Sequence, residues 1–331
     1  MITVLAGGVG AAKFLEGLAA VMPPEQITVI ANTGDDAEFH GLHVSPDVDT
    51  VMYTLAGMVD RERGWGLAGD TFHFLEALGR FGEETWFQLG DRDLATHWKR
   101  TLRLRQGATL SEVTEELRRA LGVECRILPM SDDPARTRLR TTAGPLAFQE
   151  YFVKLRQQPE VLEADFSEAA ASRPSPGVLE AIRTAEGVIL APSNPILSIG
   201  PILAVPGIRE ALRLRSLRPA LAGSGQAGQA LRNTAAPLVA VSPIIGGRAL
   251  KGPADRILSS LGLGASAAAV AELYRDLLDI FVLDQEDAHL REEVEGKGMQ
   301  VVITQTVMNS PQARQDLART VLQALRNRNY K

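Results

Sequence analysis

The opening stretch, residues 1–31, constrains the fold more than any other part of the chain. Ile2 to Leu5 reads as a short apolar strand and Ala6 to Gly10 as a glycine turn. Ala11 to Val21 then reads as an amphipathic helix, ended by Pro23-Pro24, and Ile27 to Ala31 as a second strand. Strand, glycine turn, helix and strand in that order begin a doubly wound parallel α/β sheet, where ligands sit beyond the carboxyl ends of the strands. Gly7-Gly8-Val9-Gly10 would aim backbone N–H groups at an anion at a helix N-terminus, with Lys13 adding positive charge. A P-loop needs Gly-Lys followed by Ser or Thr, whereas Lys13 lies between Ala12 and Phe14. A dinucleotide fingerprint needs an acid at the end of the second strand, where this chain has Asn32. That argues against a nicotinamide oxidoreductase. A nonstandard anion site or a plain strand-helix turn is left.

Four aspartates follow on neighbouring segments. Asp35 and Asp36 follow the second strand, and Asp47 and Asp49 precede a helix-like stretch, Thr50 to Met58. Carboxylates gathered at a strand end repel one another unless a proton or cation bridges them. Beside a phosphate-type loop the fitting cation is Mg²⁺, which takes one or two carboxylates plus phosphate oxygens. The alternative is a helix cap for one pair and a turn for the other.

The remaining chain continues the α/β pattern. Residues 60–120 read as a helical subdomain, with Trp65, Phe72, Phe74, Trp86, Phe87 and Trp98 spread through it. Val123 to Leu128 is a further strand, and residues 135–175 hold a small antiparallel insertion announced by alternation from Arg138 to Phe152. Gly187 to Ala191 and Leu238 to Val241 return to the parallel sheet and end in Pro192-Ser193-Asn194-Pro195 and Ser242-Pro243, so Ser193, Asn194 and Ser242 face a ligand. Residues 220–236 read as a flexible insertion. Ala265 to Leu283 is a helix leading into a strand, Gln300 to Thr304 a last strand and Gln312 to Leu325 a closing helix. One main domain over residues 1–331 accounts for these elements. A formal charge of −5 carries no electrostatic footprint for nucleic acid. The single cysteine, Cys125, excludes an internal disulfide and fits a reducing cytoplasm. Without a leader-like N-terminus or a bilayer-length apolar run, the expectation is a soluble, cytoplasmic protein away from membranes.

Eight motifs in fixed order resemble one family. They are Gly7-Gly8-Val9-Gly10, Asn32-Thr33-Gly34-Asp35-Asp36, Pro46-Asp47-Val48-Asp49-Thr50, Arg63-Gly64-Trp65-Gly66 and Leu89-Gly90-Asp91-Arg92-Asp93-Leu94-Ala95-Thr96-His97. Leu128-Pro129-Met130-Ser131-Asp132-Asp133, Pro192 to Pro195 with Ser198 to Leu203, and Ser242 to Gly247 with Lys251-Gly252-Pro253 complete the set. The whole resembles the 2-phospho-L-lactate transferase family of deazaflavin coenzyme (F-420) biosynthesis. The resemblance implies a Rossmann-like core, Mg²⁺ and a homodimer. It also implies transfer of a phospholactyl or phosphoenolpyruvyl group from a guanosine diphosphate ester to the ribityl hydroxyl of a deazaflavin, releasing GMP. Carried over by motif, Asp35 and Asp49 bind the metal, and Asp49 also stands close to the acceptor hydroxyl. Asp47, Asp49, Trp65, Gln88, Met130 and Ser131 are assigned to substrate, Gln88 standing where some members carry lysine. Gly8, Val9, Gly10, Asn32, Thr33, Ser193, Asn194 and Ser242 are assigned to the nucleotide.

Attack of an alcohol on a diphosphate ester builds charge on phosphoryl oxygens, so positioned cations and donors carry the catalysis. Arg92 is assigned there as a fork for a phosphate or carboxylate, with a salt-bridged helix start as its alternative. Trp65 either stacks on the deazaflavin or is an ordinary core tryptophan. His97 on a helical face is either a structural hydrogen bonder or a base. A non-catalytic nucleotide-sugar-binding regulator of the same superfamily is the competing reading. The Pro46–Thr50 block, Arg63-Gly-Trp-Gly and Leu-Gly-Asp-Arg-Asp argue for the enzyme.

Overall fold

The computed structural model describes residues 1–215 and 236–327. The chain opens with β1 (Ile2–Ala6), α1 (Gly8–Ala19) and β2 (Ile27–Ala31), followed by a hairpin of β3 (Ala37–Phe39) and β4 (Leu42–Val44). Helices α2 (Pro46–Leu55), α3 (His73–Arg80), α4 (Asp93–Arg105) and α5 (Leu110–Ala120) come before β5 (Arg126–Pro129). β6 (Arg138–Thr141), β7 (Gly144–Ala147) and β8 (Val161–Asp165) form a separate three-stranded antiparallel sheet. β9 (Gly187–Leu190), β10 (Leu238–Val241), the short pair β11 (Ile244–Ile245) and β12 (Arg248–Ala249), β13 (Ile280–Asp284) and β14 (Gln300–Thr304) follow, and helix Pro311–Arg326 closes the chain.

Seven strands make the central sheet, in the order β14-β13-β10-β9-β1-β2-β5. Every neighbouring pair is parallel, with Ile2 opposite Ile27 and also opposite Gly187. A parallel sheet is covered on both faces, and alternation divides the strand residues between two cores. Leu5, Ile30, Leu190, Ala240 and Phe281 pack on one side, among the helices spanning 178–215 and 267–273. Val4, Val29, Ile189, Val239 and Val282 pack on the other, against α1, α2 and the closing helix. β1 lies inside this sheet, beside the middle strand β9. From β1 the chain runs outward through β2 to β5, then returns to β9 and runs out the other way. The reversal falls between β1 and β9, and a ligand crevice opens there beyond the carboxyl ends.

Several boundaries differ from the sequence reading. α1 begins inside the glycine loop, at Gly8 and not Ala11. α2 begins at Pro46 and not Thr50, so Asp47 and Asp49 lie in its first turn. Proline pre-sets the backbone at that position, and acids there complement the helix dipole. The pattern from Ala265 to Leu283 resolves into a helix of only seven residues, Ala267–Leu273, and a turn before β13. Of the stretch 220–236, residues 220–235 lie outside the described residues. Among the described residues no single helix is long and apolar enough to cross a membrane.

Candidate active site

One cavity of about 950 Å³ sits over the β1–β9 reversal. Pockets of up to about this volume bury most of a drug-sized ligand. The loop after β1 forms its floor. Gly8 carries a positive φ of 74°, which glycine adopts without strain. A Cβ on Gly7 would stand 2.6 Å from an Asp47 carboxylate oxygen and 2.7 Å from the Ser198 Cβ, and one on Gly10 would overlap the Pro192 carbonyl oxygen. The glycines therefore let the loop close against α2 on one side and the β9 loop on the other. Ser193 Oγ accepts from the Gly7 N–H at 3.4 Å. Asn194 Oδ1 caps the following helical turn by accepting from the N–H groups of Ile196 and Leu197.

Asp35 and Asp47 face each other at the rim of this floor. Asp35 is 3% exposed and one of its carboxylate oxygens has no hydrogen-bond partner. Burial, then the charges of Asp47 and Asp36, raises its pKa well above the ordinary carboxylate range. Asp47 is half-buried, and burial raises it to about 6 against hydrogen bonds from Asn32, the Gly8 N–H and Asp35 that pull the other way. Two carboxyl groups close enough to hydrogen-bond and both short of solvent are under electrostatic pressure to take up a proton or a cation. Asn32 Nδ2 donates to Asp47 Oδ2 at 2.9 Å while its Oδ1 accepts from the Gly34 N–H at 2.8 Å, so it fixes both acidic segments relative to each other. Asp36 turns away into the hairpin, where Ser45 Oγ donates to it at 2.9 Å and His43 Nε2 lies 3.0 Å off.

Asp49 belongs to a different cluster. Arg100, fully buried on α4, grips both of its oxygens, with Nη1 to Oδ2 at 3.0 Å and Nη2 to Oδ1. Burial alone would depress Arg100, but the Asp49 carboxylate overrides this and raises it. His97 Nδ1 lies 3.7 Å from Asp49 and its Nε2 lies 3.2 Å from Asp93. Tyr53 Oη donates to Asp93 at 2.5 Å. A bidentate guanidinium still leaves a carboxylate two outward lone pairs, and Asp49 lines the cavity. The expectation that Asp49 stands ahead of the helix is thus corrected. It is buried, on a helix, and it is Asp47 that neighbours Asp35.

The wall opposite the glycine loop is aromatic. Trp86 and Phe87 from the α3–α4 loop and Phe148 and Phe152 from the segment after β7 line it. Phe87 stacks on Phe39 with centroids 3.9 Å apart. Lys154 joins the two segments, donating to Glu84 at 2.7 Å and standing 5.4 Å over the Trp86 ring. Trp65 and Gln88 also line the cavity, and the Arg63 guanidinium stands 5.3 Å from the Trp65 ring centroid.

Gly8, Val9, Gly10, Asp35, Asp47, Asp49, Trp65, Gln88, Ser193, Asn194 and Ser242 therefore gather around one space. Five expected site residues lie outside it. Arg92 is exposed at the start of α4 and donates to the Ala68 carbonyl, because the turn before α4 points it away from the crevice. Met130 is packed in the core, and Ser131 Oγ is engaged by the Arg173 carbonyl and the Asp133 N–H. Asn32 and Thr33 are buried and do not line this cavity, Asn32 instead positioning Asp47. Sequence reasoning missed Gln149, Lys251, Thr306 and Asn309 as lining residues. Only Lys251 stood in a motif. Thr306 and Asn309 follow β14, and nothing local marks them as part of a site built around β1. Cys125 is buried and unpaired just ahead of β5, with burial raising its thiol to about 11.

The chain is similar to known proteins over nearly its whole length. Residues 2–221 match the family model described as 2-phospho-L-lactate transferase CofD. A phosphoenolpyruvate transferase from Streptomyces griseus subsp. griseus is 44% identical over 328 residues, covering 97% of each chain. A 2-phospho-L-lactate transferase from Methanosarcina mazei is 38% identical over 321 residues, covering 97% of this chain and 99% of that one. A crystal structure of a UPF0052-family protein from Bacillus halodurans shares the fold, with a TM-score of 0.63 at 17% identity over 97% of this chain and 98% of that one.

Proposed function

This chain belongs to the 2-phospho-L-lactate transferase CofD family, and we propose that it moves a 2-phospholactyl or phosphoenolpyruvyl group from a guanosine diphosphate ester to the ribityl hydroxyl of a deazaflavin, releasing GMP. One observation carries the reading: a glycine loop at a helix N-terminus and two neighbouring carboxyl groups, one buried and one half-buried, line the same cavity as a group of aromatic side chains. The Gly8–Gly10 loop, at the N-terminus of α1, suits the diphosphate. Ser193, Asn194 and Ser242 at neighbouring strand ends suit the guanosine. Trp86, Phe87, Phe148 and Phe152, with Trp65, offer flat apolar surface to a tricyclic ring.

The acids fit Mg²⁺. Asp35 carries a buried oxygen without a partner, and Asp47 stands beside it. Among the described residues no three His, Cys, Asp or Glu side chains could hold a metal together. That suits an ion that takes one or two carboxylates and completes its shell with phosphate oxygens and water. Asp35 and Asp47 form the inner pair in this reading, and the outward lone pairs of Asp49 share the same cavity. The bound ion would supply charge neutralisation on the transferring phosphoryl group. Asp49, held in a fixed orientation by the Arg100 fork, accepts the hydrogen bond of the attacking hydroxyl and orients it. Asn32 holds Asp47 in place, and the aromatic wall excludes water from the acceptor side.

Mixing the protein with deazaflavin acceptor, guanylylated donor and Mg²⁺ should release GMP, and mass spectrometry of the product should show which acid was transferred. Tight donor binding without GMP release would favour the nucleotide-sugar-binding reading.

A further inference from the structure

Arg63-Gly64 and Lys251-Gly252-Pro253, drawn from two of the sequence motifs, have no part in the reading above. The fold brings them together. Lys251, on the loop after β12, donates from Nζ to the Arg63 carbonyl at 3.1 Å. Gly64, with φ of 82°, makes room for this. A Cβ there would meet Lys251 Nζ and Val9 Cγ1, both at 2.9 Å. So the Lys251 ammonium is held at a set depth beside the residue that follows Gly8 in the anion loop. Lys13, on α1, lines the same cavity.

Neither lysine has a counter-charge. Among the described residues, no carboxylate lies within ion-pair distance of Lys13 or Lys251. The neighbouring cations are all satisfied, Arg63 by Asp60 and both Arg61 and Arg314 by Glu16. Lys13 is accordingly pushed down, first by burial, then by the charges of Lys251 and Arg314, with only Glu16 opposing. Two lysines that line one cavity and are ion-paired with no acid attract an anion placed between them.

We propose that Lys13 and Lys251 form a second anion subsite, apart from the Asp35–Asp47 pair, that takes an outlying oxyanion of the donor. The proposal rests on the function proposed above. The glycine loop and Mg²⁺ account for the two bridging phosphates. That leaves the carboxylate of the transferred acid, and the extra negative charge that the nucleotide phosphate gains on leaving. Both are oxyanions of the same chemistry, and binding measurements separate them.

The test is calorimetric titration of wild type, Lys251→Met, Lys251→Gln and Lys13→Met with GMP, phosphoenolpyruvate and deazaflavin in turn, all with Mg²⁺. Losing one charge-assisted contact weakens binding about 10–100-fold. That loss is expected for one of the two anions in all three variants, and none for deazaflavin. Loss for GMP assigns the subsite to the leaving phosphate, and loss for phosphoenolpyruvate but not for inorganic phosphate, titrated as a control, assigns it to the acid carboxylate. Lys251→Gln keeps a donor for the Arg63 carbonyl without the charge. Near wild-type anion binding by that variant overturns the proposal and makes Lys251 a loop tie. Both anions binding all variants within twofold of wild type overturns it as well. A wild type that binds these anions but never releases GMP from the donor overturns the functional reading and leaves the subsite standing.

Discussion

Removing metal from the protein and raising the pH should set Asp35 and Asp47 against each other, and the cost is measurable. Asp47 in the fold ionises at about 6, against 3.8 for a free aspartate. A carboxyl whose folded pKa is raised adds stability that is complete below the unfolded value and disappears as pH climbs through the folded one. The window for Asp47 is therefore about pH 4 to 6. A displacement of this size corresponds to about 3 kcal/mol, and about 2 kcal/mol is the better expectation because Asp47 is only half-buried. Asp47→Asn cannot titrate, so the difference between wild type and this variant reports the titration of Asp47 together with its effect on Asp35. In EDTA, urea unfolding should show wild type losing about 2 kcal/mol relative to Asp47→Asn between pH 4 and pH 7. Saturating Mg²⁺ should restore most of that loss at pH 7 and little at pH 4. If the wild-type-minus-variant difference is flat across this range, the two acids are not strained and the metal has no reason to sit there.

Arg100→Met should leave Asp49 buried beside no cation, destabilising the fold by about 3–5 kcal/mol. An Asp49→Asn partner mutation should recover much of this, as read by urea unfolding of the single and double variants. Gly10→Ala should drive a methyl group into the Pro192 carbonyl and shift the anion loop, costing about 1–3 kcal/mol. GMP binding by the same variant should weaken at least tenfold in calorimetry. Cys125, with its thiol raised to about 11, should stay unreactive toward a thiol-disulfide reagent at pH 7.5 and titrate only in urea.

The core of this fold is written in short-range patterns. Ile2–Leu5 and Ile27–Ala31 are continuous apolar runs because a parallel strand is buried on both sides, and both strands sit where those runs place them. Gly187, Leu238 and Gln300 likewise begin strands. The glycine loop was legible because a tight strand-helix turn admits few residues. What escaped is the direction in which side chains point. Arg92 and Asp93 are adjacent in a charged motif, yet only Asp93 lines the cavity and Arg92 reaches the Ala68 carbonyl. Asp47 and Asp49 alternate along the chain, which in a strand would put them on one face. On a helix two residues apart they diverge, one toward Asn32 and the other toward Arg100. Arg100 itself stood in a run of basic residues that resembles a solvated helix face, and only tertiary packing buries it. The aromatic wall joins residues some sixty positions apart, a pairing no local window contains.

β1 lies inside the sheet, between β2 and β9. β1 cannot gain its second neighbour until residues 187–190 exist, and the crevice lacks its lining at Thr306 and Asn309 until almost the whole chain has been synthesised. Contacts this distant in sequence form slowly. The glycine loop is synthesised well before the residues after β14 that complete the cavity around it.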